Sequence, residues 1–357
     1  MSRYLSRIDE SRIYTNYGPL CLELEERICG ILALPLGSCQ SASSGTTALV
    51  GAILARAGRA TSERPLAIVP AFTFVATALA AEECGYSPFL ADVDAVTWML
   101  DPERMLGEVP LDRVGVVIPV APFGRPVPHD PWRAFSEKTG IPVVIDGAAS
   151  FDSLANASPH CLSEIPIALS FHATKSFSTG EGGGVITTDR GLSKRIVRAL
   201  NFGFFDSRDC KGPSVNGKMS EYHAAVGLAE LDGWREKLAA FNRVAEWYRK
   251  HAEDLGIEQH VVVTPEISAC YALFRANDAA QAEAVTAALE SDLIDSRWWY
   301  GRGLHHQTYF EKAPRSELGV TEDLALRLLG LPLACDIEEE SIARIVTRLG
   351  HGLKARL

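Results

Sequence analysis

Short apolar runs separated by helical stretches constrain this chain more than any other feature it has. Residues 66–69, 87–91, 115–120, 143–145 and 167–171 are each too short for a typical helix and largely apolar on both faces. Such runs suit strands buried inside a parallel sheet, where neither face meets water. The stretches 76–84 and 130–139 between them read as helices, and parallel strands need crossovers of that kind. The pattern predicts an α/β fold with a largely parallel sheet. Upstream, Gly18-Pro19 breaks the chain and residues 20–32 read as an amphipathic helix. Ser44-Gly45-Thr46 reads as a turn and cap before a helix over 48–57.

Beyond about Gly233 the character changes. A long helix over 235–254 leads away from the first block, 261–264 and 270–275 read as strands, and 279–290 and 338–348 as helices. The last of these places acids early and bases late, the order that the helix dipole favours. A length of 357 residues is comfortable for two domains. The expected division is an N-terminal segment, 1–20, packed near the small domain, then a large domain, 21–234, and a small C-terminal domain, 235–357.

Bulk composition narrows the function classes. A net charge of -10 argues against a nucleic-acid partner, which selects a basic face. The 8 cysteines are scattered, with no CxxC pair and no Cys/His spacing suited to zinc. No metal is expected, and the cysteines read as reduced thiols in a cytoplasmic protein. The charged start, MSRYLSRIDESR, lacks the apolar core of a signal peptide. The longest uncharged run, 65–81, falls short of a membrane helix, so no membrane span is expected.

Candidate chemistry begins at Ser170-Phe171-His172-Ala173-Thr174-Lys175, followed by Thr179-Gly180-Glu181-Gly182-Gly183-Gly184. A lysine directly after a buried strand is held in place, and desolvation makes lysine amines nucleophilic. The glycines let backbone approach a flat ring and its phosphate. A lone lysine at a strand end is normally a solvated surface residue; the neighbours favour a Schiff-base lysine here. The glycine run is no dinucleotide fingerprint, because its sixth position is Val185 and the chain continues into a strand over 185–188. It also lacks the Gly-Lys-Ser/Thr of a Walker A loop.

Three further stretches carry open alternatives. The run IPVVID ends at Asp146, at the strand edge where α/β sheets bind ligands. A carboxylate there can hold a pyridine nitrogen protonated, or simply cap the next turn. Ser43-Ser44-Gly45-Thr46-Thr47 offers hydroxyls and free N–H groups at a helix start, which make an anion site or a plain cap. Phe74, in PAFTF, can stack on a ring or sit in the core.

Together these stretches resemble the DegT/DnrJ/EryC1/StrS family, the sugar-nucleotide aminotransferases of the fold-type I pyridoxal-phosphate class. The likeness spans nearly the whole chain. It runs through Gly18-Pro19, Leu24-Glu25, Ser44-Gly45-Thr46, PAFTF at Phe74, Asp92-Val93-Asp94, Ile145-Asp146 and SFHATK at Lys175. It continues through Gly180-Glu181-Gly182-Gly183, NGKMSE over 216–221, Trp298-Trp299-Tyr300 and Leu331-Pro332-Leu333.

The resemblance implies a large domain with a mostly parallel seven-stranded sheet between helices, plus a smaller α+β C-terminal domain. It implies that Lys175 holds pyridoxal 5'-phosphate as a Schiff base and shuttles the proton, with pyridoxamine phosphate as the alternate form. Asp146 holds the pyridine nitrogen, Gly45, Thr46 and Ser170 bind phosphate, and Phe74 takes the ring-stacking place. Asn216, with Lys218 as companion, reaches the phosphate of a neighbouring subunit, which implies a homodimer with shared sites. The implied reaction moves an amino group from glutamate to a nucleotide-linked keto-sugar in deoxyaminosugar biosynthesis. Lys175 favours transamination over the family's dehydratases, which carry histidine at that place. One departure stands out: the family usually has Gln or His three positions after the aspartate, contacting the cofactor hydroxyl, and here that residue is Ala149. A non-nucleotide ketone such as a cyclitol as acceptor, or a catalytically silent regulatory relative, are the alternatives left open.

Overall fold

The structure, a computed structural model, describes residues 1–156 and 159–355. In chain order the large unit begins with α1 (Ser2–Ser11), α2 (Pro19–Ile31), β1 (Cys39–Ala42), α3 (Gly45–Arg56), β2 (Leu66–Pro70), α4 (Val75–Glu83) and β3 (Ser87–Ala91). It goes on through α5 (Pro102–Glu108), β4 (Val114–Val117), α6 (His129–Thr139), β5 (Ile145–Asp146) and α7 (Phe151–Ala155). It closes with β6 (Ile167–Ser170), β7 (Gly183–Ile186), α8 (Arg190–Leu200) and α9 (Glu221–Asp232).

The strands lie in the orders β1-β7-β6-β5 and β3-β2-β4. Parallel bridges Val117–Val143 and Val120–Asp146 join the two groups into one seven-stranded sheet. Only β7 runs antiparallel to its neighbours; the other pairings are parallel. Successive residues of β2 divide between two cores. Leu66 and Ile68 join Ile28, Trp132 and Phe171 on one face, while Ala67 and Val69 join Leu49, Ile53 and Val116 on the other. Helices cover both faces, so the strands show no polar alternation.

The smaller unit comprises α10 (Trp234–Leu255), β8 (Val261–Val262), β9 (Ala272–Arg275), α11 (Ala279–Glu290), α12 (Gly319–Ala325), β10 (Leu328–Leu331) and α13 (Glu339–Lys354). Its antiparallel sheet, ordered β10-β9-β8, packs with the helices around Val244, Tyr248, Phe274, Val285 and Val346. Between α11 and α12 the chain returns to the large sheet. Leu304 N–H donates to Ala71 O at 2.8 Å, Arg315 bridges to Leu90, and Leu304, Phe310 and Leu318 enter the large unit's core.

The N-terminal segment packs elsewhere than expected. Its buried residues, Tyr4 and Ile8, sit one turn apart and join the core around α2 and α9, not the small sheet. Asp232 at the end of α9 decides this position, because it accepts from Arg3, Tyr4 and Arg27 at 2.6–3.1 Å. A second long-range tie starts α2. The Glu221 carboxyl, fully buried, accepts from Leu20 N–H at 2.8 Å and Cys21 N–H at 2.9 Å, satisfying orphan donors of that helix. Gly18 makes room for it, since a Cβ there would lie 2.6 Å from Glu221 Cδ.

Two stability predictions follow from these buried groups. Glu221→Ala leaves two buried donors without an acceptor and costs about 3 kcal/mol, read as a lower urea midpoint at unchanged slope. His129 is fully buried with Nδ1 2.6 Å from Ser163 Oγ, and burial pushes its imidazole down to about 4. An unfolded histidine titrates near 6.5, so the unfolded chain binds the extra proton first. Stability therefore falls as pH drops from about 6.5 to about 4, by up to about 3 kcal/mol from this group. His129→Gln flattens that part of the profile; denaturation midpoints measured across the range give the comparison.

Candidate active site

β5 and β6 are parallel neighbours that end at Asp146 and Ser170, so both residues face one sheet edge. α3 starts directly on that edge. A Cβ at Gly45 would lie 2.6 Å from Ser170 Cβ, and one at Gly183 would lie 2.5 Å from Ser44 O. Two glycines thus let a helix N-terminus sit in backbone contact with the strand ends. Ser44 Oγ caps α3 by accepting from Thr47 N–H at 3.1 Å. Among the described residues the N–H groups of Gly45 and Thr46 have no acceptor. With the Ser170 hydroxyl beside them, they form the kind of pocket that binds phosphate.

Asp146 is buried. Its Oδ2 accepts from Thr77 Oγ1 at 2.7 Å and its Oδ1 from Ala148 N–H at 3.1 Å. Thr77 is fixed in turn by Thr73, 3.0 Å away and one helical turn earlier. Burial pushes the Asp146 carboxyl above its ordinary range, opposed by these two hydrogen bonds and by the charge of Lys175. A cation beside it would offset that burial. Phe74, the residue before α4, is 60 % exposed, so it is not a core aromatic and presents a free face.

Lys175 follows β6 by five positions and is half-buried. Its Nζ lies 3.2 Å from Tyr271 Oη, and both residues line a cleft of about 710 Å³. Thr174, Lys237, Arg297, Trp299 and Cys335 also line that cleft, which lies between the two units. Burial holds the Tyr271 phenol well above its ordinary pKa. Asn216 does not converge with the others. It is exposed, and its Oδ1 accepts from Lys218 Nζ at 2.6 Å, while Gly217 O accepts from Ser43 N–H at 2.8 Å. Burial lowers the Lys218 pKa, and its ammonium sits 4.2 Å from the Phe202 ring centre. Ala149 lies in an apolar cluster with Phe123 and Tyr271 and offers no polar side-chain atom.

Sequence reasoning missed Thr77 and Tyr271. The i, i+4 spacing of Thr73 and Thr77 in TFVAT, across the start of α4, was a local signal for the first. Tyr271 carries no such signal, because it meets Lys175 across 96 residues. The set offers an anion pocket, a buried carboxyl group, an aromatic face and an amine along one sheet edge.

The model of the DegT/DnrJ/EryC1/StrS aminotransferase family matches residues 1–350. The chain belongs to this family. Protein Rv3402c of Mycobacterium tuberculosis H37Rv is 32% identical over 356 residues, with 95% of this chain and 84% of that protein covered. A UDP-N-acetyl-3-dehydro-alpha-D-glucosamine 3-aminotransferase of Acidithiobacillus ferrooxidans is 30% identical, covering 96% of this chain and 91% of that enzyme. Among solved structures, DesI in the presence of its TDP-sugar product superposes with a TM-score of 0.85 at 29% identity, covering 99% and 90% of the two chains.

The buried carboxyl makes a test possible without cofactor. With its pKa raised, native Asp146 holds a proton at pH values where unfolded aspartates, near 3.9, are already ionised. Stability contributed by this group falls as pH rises through that window. Asp146→Asn removes the effect, so the cofactor-free variant equals or exceeds its parent in melting temperature at neutral pH. Thr77→Val takes a donor from the carboxyl and lowers stability by about 1–2 kcal/mol.

Proposed function

We propose that this chain is a pyridoxal-phosphate-dependent aminotransferase that moves an amino group from glutamate to a keto-sugar attached to a nucleotide. The observation that carries the reading is the convergence of Lys175, Asp146 and the α3 N-terminus on one edge of the sheet. Bound there, pyridoxal phosphate supplies a carbonyl that accepts the amino group and a ring that withdraws electrons. Lys175 anchors it and then moves the proton between substrate and cofactor carbons. Asp146 keeps the ring nitrogen protonated, and that cation offsets the desolvation of the carboxylate. Gly45, Thr46 and Ser170 take the phosphate, and Phe74 covers the ring.

A homodimer fits the remaining residues. Asn216 stands exposed and Lys218 half-buried beside the 43–47 turn, and the two reach a neighbouring subunit's phosphate. The cleft supports an anionic substrate. Arg297 stacks on Trp299 at 5.0 Å and forms no ion pair among the described residues, which leaves a cation free for the nucleotide's phosphates. Relatives acting on UDP- and TDP-linked sugars point the same way. No helix of the described residues is long and apolar enough to cross a membrane, in keeping with a cytoplasmic enzyme.

Two measurements test the reading. Lys175→Ala loses the visible absorbance of the loaded protein and turnover falls by at least about 1000-fold; retained turnover contradicts the assignment. Arg297→Ala raises KM for nucleotide-linked keto-sugars about 10-fold or more, with little change for glutamate. A panel that finds only non-nucleotide ketones aminated would move the acceptor to the cyclitol class.

A further inference from the structure

The amine of Lys175 is held from the other domain. Its Nζ lies 3.2 Å from Tyr271 Oη, and Tyr271 stands immediately before β9 of the small sheet. No other side chain among the described residues hydrogen-bonds that amine. The phenol is itself fixed. Its ring meets Phe123 edge-on at 5.5 Å and Trp299 at 5.3 Å, and its N–H donates to Ser268 O at 3.0 Å.

Asp152 ties that turn to the lysine. The carboxyl group, buried, accepts from Ser268 Oγ at 2.6 Å and from Ala269 N–H at 2.7 Å. The oxygen that takes Ser268 also accepts from Ser176 Oγ at 2.6 Å, and Ser176 is the residue after Lys175. One carboxyl group therefore grips the segments on both sides of the amine–phenol contact. We infer that Tyr271 is a catalytic residue that accepts a hydrogen bond from Lys175 Nζ, and that Asp152 is the positioning residue that keeps the two in register. The inference rests on Lys175 being the cofactor lysine.

The chemistry follows from proton bookkeeping. When Lys175 takes a proton from the substrate carbon it becomes an ammonium, and it returns to the amine when it delivers that proton to the cofactor carbon. The phenol oxygen accepts an N–H in both states and binds the charged one more strongly. It stabilises the protonated lysine and turns the amine's lone pair away from itself. Tyr271 keeps its own proton throughout, because burial opposes phenolate formation. Neighbouring groups do not duplicate the role. Ala149 has no polar side-chain atom, and Tyr300 Oη already accepts from Phe123 N–H at 3.2 Å.

Tyr271→Phe removes one oxygen and leaves the ring, so it separates this role from packing. Loaded with pyridoxal phosphate and mixed with glutamate, the variant should lose its visible band about 10- to 100-fold more slowly than the parent in a single turnover. The pH midpoint of that band should also move to lower pH, because the protonated nitrogen has lost an acceptor. Ser268→Ala removes one of the Asp152 contacts and should show a smaller slowing, about 3- to 10-fold, with the midpoint shifted the same way. A Tyr271→Phe protein whose bound cofactor keeps the parental rate and midpoint overturns the inference, even if occupancy is lower. A parent protein with no visible band overturns the reading of Lys175, and this inference with it.

Discussion

Close contact between the start of α3, the end of β6 and the start of β7 is the constraint on which the site depends. It exists because no Cβ stands at Gly45 or Gly183, where one would fall 2.5–2.6 Å from neighbouring atoms. Strand direction makes the contact possible. β7 runs back against β6, so Gly183 pairs with Ser170 and the glycine loop returns beside the strand end that leads to Lys175. A helix dipole, a hydroxyl and the approach to the lysine are thereby gathered at one corner. The parallel neighbour β5 then brings Asp146 to the same edge by register alone.

The electrostatics of that edge are arranged for a bound group carrying both signs. Orphan N–H groups at α3 favour an anion, and the buried Asp146 carboxyl favours a cation. The proposed cofactor, a phosphate-bearing pyridinium, carries both signs. The second unit completes the site by supplying Tyr271, Trp299 and Arg297 to the cleft.

Much of this was legible in the sequence because it is local. Strands buried on both faces announce themselves as unbroken apolar runs; the aspartate and the serine end two of them, and the lysine follows five positions on. Phe74 was ambiguous in sequence, since an aromatic in an apolar run is more often core; its exposure removes the core reading and leaves the stacking role as a proposal. Strand β1 was not legible. Its CQSA sequence is polar for a strand, and it forms because β7 offers an edge and its residues are buried all round. The docking of α1 on Asp232, the capping of α2 by Glu221 and the Asp152 clamp were equally hidden. Each joins residues more than 100 positions apart, and no spacing rule reaches that far.

One covalent attachment, cofactor to Lys175, underlies the proposed chemistry. Borohydride reduction of the pyridoxal-phosphate-loaded protein, followed by peptide mapping, locates the lysine that holds the cofactor. A single modified peptide carrying the reduced cofactor on Lys175 is the predicted result. Modification spread over surface lysines, or confined to another lysine such as Lys218, would contradict it.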